Sequence, residues 1–285
     1  LQDCCLMSLH GREFERIIPA LQPQAKILCL SWDETTPPRL AKLLCDRGLG
    51  QSRIVVMEAM GGTRERTRAS TAEAFRMEGI DPLNIVALEI AATAQSRILP
   101  VASGLVDSWF ETDGQMTKRE VRAVTLSSLA PRRGELLWDA GAGSGSIAIE
   151  WLLSDPANRA IAIEAREDRA SLIRRNAAKL GVPHIEIIIG RAPEAFANLP
   201  RPQAIFAGGG ASDATLLDAA YAALVPGGRL VVNAVTLEAE AELIRRHKAQ
   251  GGELLRIEIS RAEPLGSYQA WRPALPVTQW SVTKR

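Results

Sequence analysis

The stretch that decides the fold is LLWDAGAGSGSIAIEWL, Leu136 to Leu152. An apolar run ends at Asp139, three glycines follow at 141, 143 and 145, and an apolar-periodic segment runs on from Ile147. That order reads as strand, glycine turn, helix. Glycines there let the backbone turn tightly and approach a ligand with no side chain between them. On its own the loop is a weak signal, because the dinucleotide pattern GxGxxG wants glycine where Ser146 stands.

Working outward, the same unit repeats. Ala160–Ala165 is a strand followed by a helix from Arg166, and Ile185–Gly190 leads into the segment APEAFANL. Gln203–Gly210 leads into DATLLDAAYAAL, and a fifth strand, Arg229–Val235, follows the turn PGG. After a further helix, the runs ELLRIEIS and PVTQWSVTK have no helix between them and should pair antiparallel. Alternating βα units predict an α/β fold with a doubly wound, mostly parallel sheet. Upstream, TKREVRAVTLSSLA opens with Thr117 and has Glu120 three residues on, a capping-box pattern that predicts a helix start.

The first ~105 residues read as alternating strands and helices. Strands are expected at Ala25–Leu30, Arg53–Met60 and Asn84–Ala91, and a helix at Pro37–Gly48. The charged stretch TRERTRASTAEAFRM is expected to be exposed, and the boundary is set in Ser108–Gln115, giving domains 1–107 and 113–285.

Composition limits the partners. The chain has 285 residues, 34 Lys and Arg against 33 Asp and Glu, and a net charge of +1, which argues against a broad nucleic-acid footprint. Cys4, Cys5, Cys29 and Cys45 form no CxxC pair, so a metal site is not expected and a reduced, cytoplasmic chain fits. No long apolar run predicts a membrane span. The first residue is Leu1 and not methionine, as either a fragment or an incompletely defined start would give.

Chemistry narrows the ligand. Glu164 ends the second strand about 20 residues after the glycine loop, where a ribose-binding acid belongs. Its carboxylate accepts ribose hydroxyls as charge-assisted bonds. No Ser-His-Asp order, metal cluster or hydride-transfer acid is evident. Methyl transfer from a sulfonium needs chiefly that two carbons be held in line. With PGG and the terminal strand pair, these features resemble the class I S-adenosylmethionine-dependent methyltransferases.

Three further stretches extend the likeness: GQMTKREVRAVTLSSLAP (Gly114–Pro131), FAGGGASDATLLDAA (Phe206–Ala220) and ISRAEPLGSYQAWRPALPVTQW (Ile259–Trp280). Residues 113–285 resemble the decarboxylating domain of the precorrin C5,15-methyltransferases of cobalamin synthesis. SLHGRE, RIVVMEAMGG and DPLNIVALE in the first region are similar to the carboxy-terminal half of the partner domain, a tetrapyrrole methylase. The amino-terminal half of that partner is not found, so C5 methylation is not expected of this stretch alone.

The resemblance implies S-adenosylmethionine as cofactor, a precorrin as substrate, methylation at C15 and loss of carbon dioxide from the acetate at C12. It maps cofactor contacts onto Thr117, the loop Gly141, Ala142, Gly143, Ser144 and Gly145, then Glu164, with Ala192 near adenine and Asp139 supporting the loop. A polycarboxylate substrate invites arginine clamps, for which Arg119, Arg122, Arg261 and Arg272 are candidates. Gly208, Gly209 and Gly210 would let a flat ring approach, with Asn233 and Tyr268 as further candidates. A homo-oligomer is implied by the resemblance only. Two alternatives stay open: a class I methyltransferase acting on protein or RNA through Arg174, Arg175, Arg245 and Arg246, and a non-catalytic cofactor-binding subunit.

Overall fold

A computed structural model describes residues 4–285. The chain forms two compact units, Leu1–Pro100 and Val101–Arg285.

The first unit is built on one sheet. Its elements are β1 (Cys4–Ser8), β2 (Lys26–Leu30), α1 (Thr36–Asp46), β3 (Arg53–Glu58), β4 (Arg66–Thr71) and β5 (Asn84–Glu89). The sheet order is β1-β2-β5-β3-β4, with only the β1–β2 pair parallel. Alternation of strands with helices therefore holds only up to β3. The charged stretch forms β4, which sequence periodicity missed because Arg66 and Arg68 stand where an apolar residue would be looked for. Both converge on Glu58, whose side chain is fully buried. The two guanidiniums and the Asp81 N–H overcome burial and hold that carboxyl down at about 2.

The second unit comprises α2 (Arg119–Leu129), β6 (Leu136–Ala140), α3 (Ser146–Ser154), β7 (Arg159–Glu164), α4 (Glu167–Leu180), β8 (Glu186–Ile189), β9 (Ala204–Ala207), α5 (Ala214–Ala223), β10 (Arg229–Ala234), α6 (Leu237–Gln250), β11 (Glu253–Ile257), β12 (Ser260–Leu265), β13 (Tyr268–Pro273) and β14 (Val277–Thr283). Seven strands run in the order β11-β14-β10-β9-β6-β7-β8. Strands β8, β7, β6, β9 and β10 are parallel, and β14 enters antiparallel between β10 and β11. The expected doubly wound sheet is present, and the two terminal runs pair as expected.

All five residues of β6 and all six of β10 are buried, so these strands read as apolar runs interrupted only by Asp139, Arg229 and Asn233. The sheet changes direction of winding between β6 and β9, so a crevice opens beyond their carboxyl ends. Two local expectations need correction. APEAFANL makes only a short 3-10 turn, Glu194–Phe196. The capping box at Thr117 is not made either: α2 begins at Arg119 with no side-chain cap, and Glu120 pairs instead with Arg261. Between β11 and β14 the chain adds an exposed hairpin, β12 with β13.

The compact units divide at Pro100, upstream of the boundary set from sequence. Gly104 and Leu105 donate their N–H groups to Glu150 of α3, and this ties the stretch into the second unit.

Candidate active site

A cleft of about 660 Å³ opens at the carboxyl ends of β6, β9 and β10. Its lining includes Thr117, Asp139, Gly141, Ala142, Gly143 and Ser144, together with Gly208, Gly209, Asn233 and Arg261. These candidates lie far apart in sequence, and the fold brings them to one cavity.

The glycine loop has steric reasons for its composition. Gly141, Gly143 and Gly145 all take positive φ, at 77°, 58° and 77°. A Cβ on Gly145 would stand 2.8 Å from Ile173 Cγ2, so α4 packs directly on that backbone. Gly141 faces the backbone of Gly209, whose nitrogen would lie 3.9 Å from an added Cβ. The two glycine loops thus form facing walls with no side chain between them.

Behind the loop stand two acids. Asp139 is 1% exposed, and its Oδ2 accepts the N–H of Ala148 in the first turn of α3 at 3.1 Å. Its Oδ1 has no partner among the described residues. Burial, aided by the nearby Glu164 charge, pushes the Asp139 carboxyl up to about 7 against the pull of that hydrogen bond. Glu164 accepts the Gly143 N–H at 2.9 Å and the Arg166 N–H at 3.0 Å, so it braces the loop from below. A carboxylate has about four acceptor positions, so capacity remains for a ligand. Ser144 Oγ is buried and also lacks a partner among the described residues.

The expected S-adenosylmethionine fits this arrangement. An unpaired carboxylate oxygen and an unpaired hydroxyl suit the ammonium and hydroxyl groups of such a molecule, and a glycine cradle admits its bulk.

Several candidates fall elsewhere. Arg122 is fully buried and cannot clamp a substrate: its Nε donates to Glu150 at 2.5 Å, its Nη1 to the Thr117 carbonyl at 2.6 Å, and its Nη2 to the Leu105 carbonyl. It holds the core of the second unit together instead. Arg119 is exposed and donates to the Gly104 carbonyl. Arg272 pairs with Glu263 on the hairpin, and Tyr268 is 78% exposed there. Ala192 packs partly buried against the core, Gly210 abuts Leu216, Gly145 packs on Ile173 and Glu164 stands behind the loop, so none of the four lines the cleft itself.

Sequence reading missed several lining residues. Gly114, Gln115 and Met116 form a strap over the glycine loop, held by Arg169, whose guanidinium donates to Asp113 and Gln115 at 2.8 and 2.6 Å. Their only signal was their place beside Thr117. Ile257, Ile259, Leu275 and Val277 form an apolar wall that only the return of β14 beside β10 assembles. The basic face imagined for nucleic acid is neutralised by ion pairs. Arg174 meets Glu167, Arg175 meets Glu111, Arg245 meets Glu242, and Arg246 is buried between Glu242 and Asp218. Among the described residues no helix is long and apolar enough to cross a membrane.

The chain matches a family model described as a precorrin methyltransferase domain over residues 108–284. It is 53% identical over 284 residues to a precorrin-6Y C(5,15)-methyltransferase [decarboxylating] of Sinorhizobium sp., covering 100% of this chain and 69% of that one. A probable cobalt-precorrin-6B C(15)-methyltransferase (decarboxylating) of Pyrobaculum calidifontis is 34% identical over 180 residues, 61% of this chain and 92% of that protein. The crystal structure of the C-terminal domain of precorrin-6Y C5,15-methyltransferase from Rhodobacter capsulatus superposes with a TM-score of 0.62 at 48% identity, over 65% of this chain and all of that one. Such identity along the whole chain, on a matching fold, makes this chain a member of the precorrin-6Y C5,15-methyltransferase family.

Proposed function

We propose that residues 101–285 transfer a methyl group from S-adenosylmethionine to C15 of a precorrin and release a substrate carboxylate as carbon dioxide, as a step of cobalamin synthesis. The observation that carries this reading is the cleft itself. Its glycine walls meet the unpaired Asp139 Oδ1 and Ser144 Oγ at one end and an apolar surface at the other. The family relatives' names supply the reaction. When bound, the cofactor supplies an electrophilic methyl group on a sulfonium.

The chain's own residues hold the reactants. Asp139 Oδ1, Ser144 Oγ and Glu164 would take the cofactor's polar groups, with Thr117 closing the loop side. The apolar wall excludes water and gives a flat macrocycle a surface to lie against. Arg261 at the rim releases Glu120 to take a substrate carboxylate, and Gly208 and Gly209 leave room for the ring edge. No nucleophilic side chain is required, because in-line orientation supplies most of the advantage.

We assign the first compact unit, Leu1–Pro100, to part of a tetrapyrrole methylase domain of the kind that serves C5. We also place the protein in the cytoplasm as a homo-oligomer. The exposed hairpin supports self-association, since Leu265, Tyr268 and Trp271 are all largely exposed. Calorimetric titration with S-adenosylhomocysteine, with NAD as control, tests the cofactor reading. One site for S-adenosylhomocysteine is expected, and binding of NAD alone would overturn it.

A further inference from the structure

The least explained polar group in the cleft is Asn233. It lies near the carboxyl end of β10, lines the cleft, and is 7% exposed. A hydrogen-bonded chain behind the cleft lining, through the buried Thr125 and Gln279, fixes its side chain. Thr125 Oγ1 donates to the Val121 carbonyl at 2.8 Å, so it can only accept from its other neighbours. It accepts from Asn233 Nδ2 at 2.9 Å and from Gln279 Nε2 at 3.1 Å. Gln279 Nε2 also donates to Asn233 Oδ1 at 2.8 Å, and its Oε1 accepts from Ser128 Oγ at 2.7 Å.

Each amide has one orientation that satisfies this chain. Turning Asn233 over would set its oxygen against the Thr125 lone pairs and its NH2 against that of Gln279. The orientation leaves one Nδ2–H of Asn233 for the cleft. The residues of β11 and β14 that line the cleft, and the residue just past β10 that does so, are apolar. Val235 lies two residues on, and Val277 pairs in register with Ile257 on the neighbouring strands. The cations that line the cleft, Lys118, Arg169 and Arg261, lie on none of β10, β14 or β11, and each faces an acidic partner.

We propose that Asn233 seats the substrate carboxylate that is lost as carbon dioxide, through one neutral hydrogen bond against this apolar wall, and that Gln279 is its positioning residue. The inference rests on the decarboxylating reading above. In the step, the bond between the carboxylate carbon and the carbon bearing it breaks. Its electron pair stays on that carbon and spreads into the conjugated ring, carbon dioxide leaves, and a proton from water takes its place. A cation at this position would stabilise the departing carboxylate more than neutral carbon dioxide and so oppose the step. A neutral amide orients the group without that cost.

The experiment uses the full chain with its precorrin substrate. It compares wild type with Asn233→Asp, which keeps the shape and adds a repelling charge, and Gln279→Met, which removes the donor that orients Asn233. S-adenosylhomocysteine titration checks that each variant is folded and holds cofactor. If Asn233→Asp fails that check, Asn233→Ser replaces it. The expected result for Asn233→Asp is a KM for the precorrin raised about tenfold or more, with fewer carbon dioxide molecules released per methyl transferred. Gln279→Met should move both in the same direction by less. An unchanged KM in a variant that binds S-adenosylhomocysteine overturns the proposal. So does a raised KM with an unchanged ratio, because Asn233 would then hold some other group. If wild type itself neither transfers methyl nor releases carbon dioxide, the functional reading fails rather than the assignment of Asn233.

Discussion

Replacing Asp139 by asparagine should abolish a pH dependence of stability that wild type carries. Asp139 is almost wholly buried beneath the glycine loop, and burial raises its carboxyl from an ordinary 3.8 to about 7. The folded state therefore holds a proton that the unfolded chain releases between these values. Stability from this group is highest in acid and falls as pH rises, reaching its floor once pH passes about 7. At about 1.4 kcal/mol for each tenfold change in proton affinity, the span is worth on the order of 4 kcal/mol, of which about 2–3 kcal/mol falls between about pH 5 and pH 8. The asparagine would keep an acceptor for the Ala148 N–H and would not titrate. Urea unfolding of both proteins at half-unit steps of pH isolates the effect, because every other titrating group is shared. The advantage of Asp139→Asn should grow by about 2–3 kcal/mol from about pH 5 to pH 8. A difference that stays constant across that range would refute the argument, for it would mean that Asp139 is ionised throughout and neutralised by something nearby.

Two other outcomes follow from the site. Glu164→Ala should weaken S-adenosylhomocysteine binding by about 1–3 kcal/mol, the range of a lost charge-assisted bond, as read by calorimetry; unchanged affinity would mean that the acid only braces Gly143. Arg122→Met should cost about 3–5 kcal/mol in denaturant unfolding, because it strands Glu150 without a counter-charge, and adding Glu150→Leu should recover much of that loss. A raised substrate KM with full stability in Arg122→Met would restore Arg122 to the clamp role.

The parallel sheet and its glycine loop were legible because their causes are local. Asp139 and Glu164 sit at strand ends and the three glycines fill the turn from β6 into α3, and strand ends show in the sequence as places where apolar runs stop. Arg122 was misread because its cause is not local. An arginine one helical turn beyond Lys118 looks like a solvated cation until α3 brings Glu150 beneath it, and a buried pair and an exposed pair are written with the same letters. β4 failed for the same reason: Arg66 and Arg68 alternate as strand residues should, but the buried partner that makes them a strand face is Glu58 on β3. Asn233 is the sharpest instance. Its residue type gave only a weak hint, since an asparagine late in a strand can be a mere edge residue. Its significance depends on Thr125, Ser128 and Gln279, contributed by α2 and β14, whose hydrogen-bonding capacities leave a single consistent assignment. Where a residue's role is set by which donors and acceptors its neighbours have left, no pattern along the chain can carry it, and only the folded arrangement does.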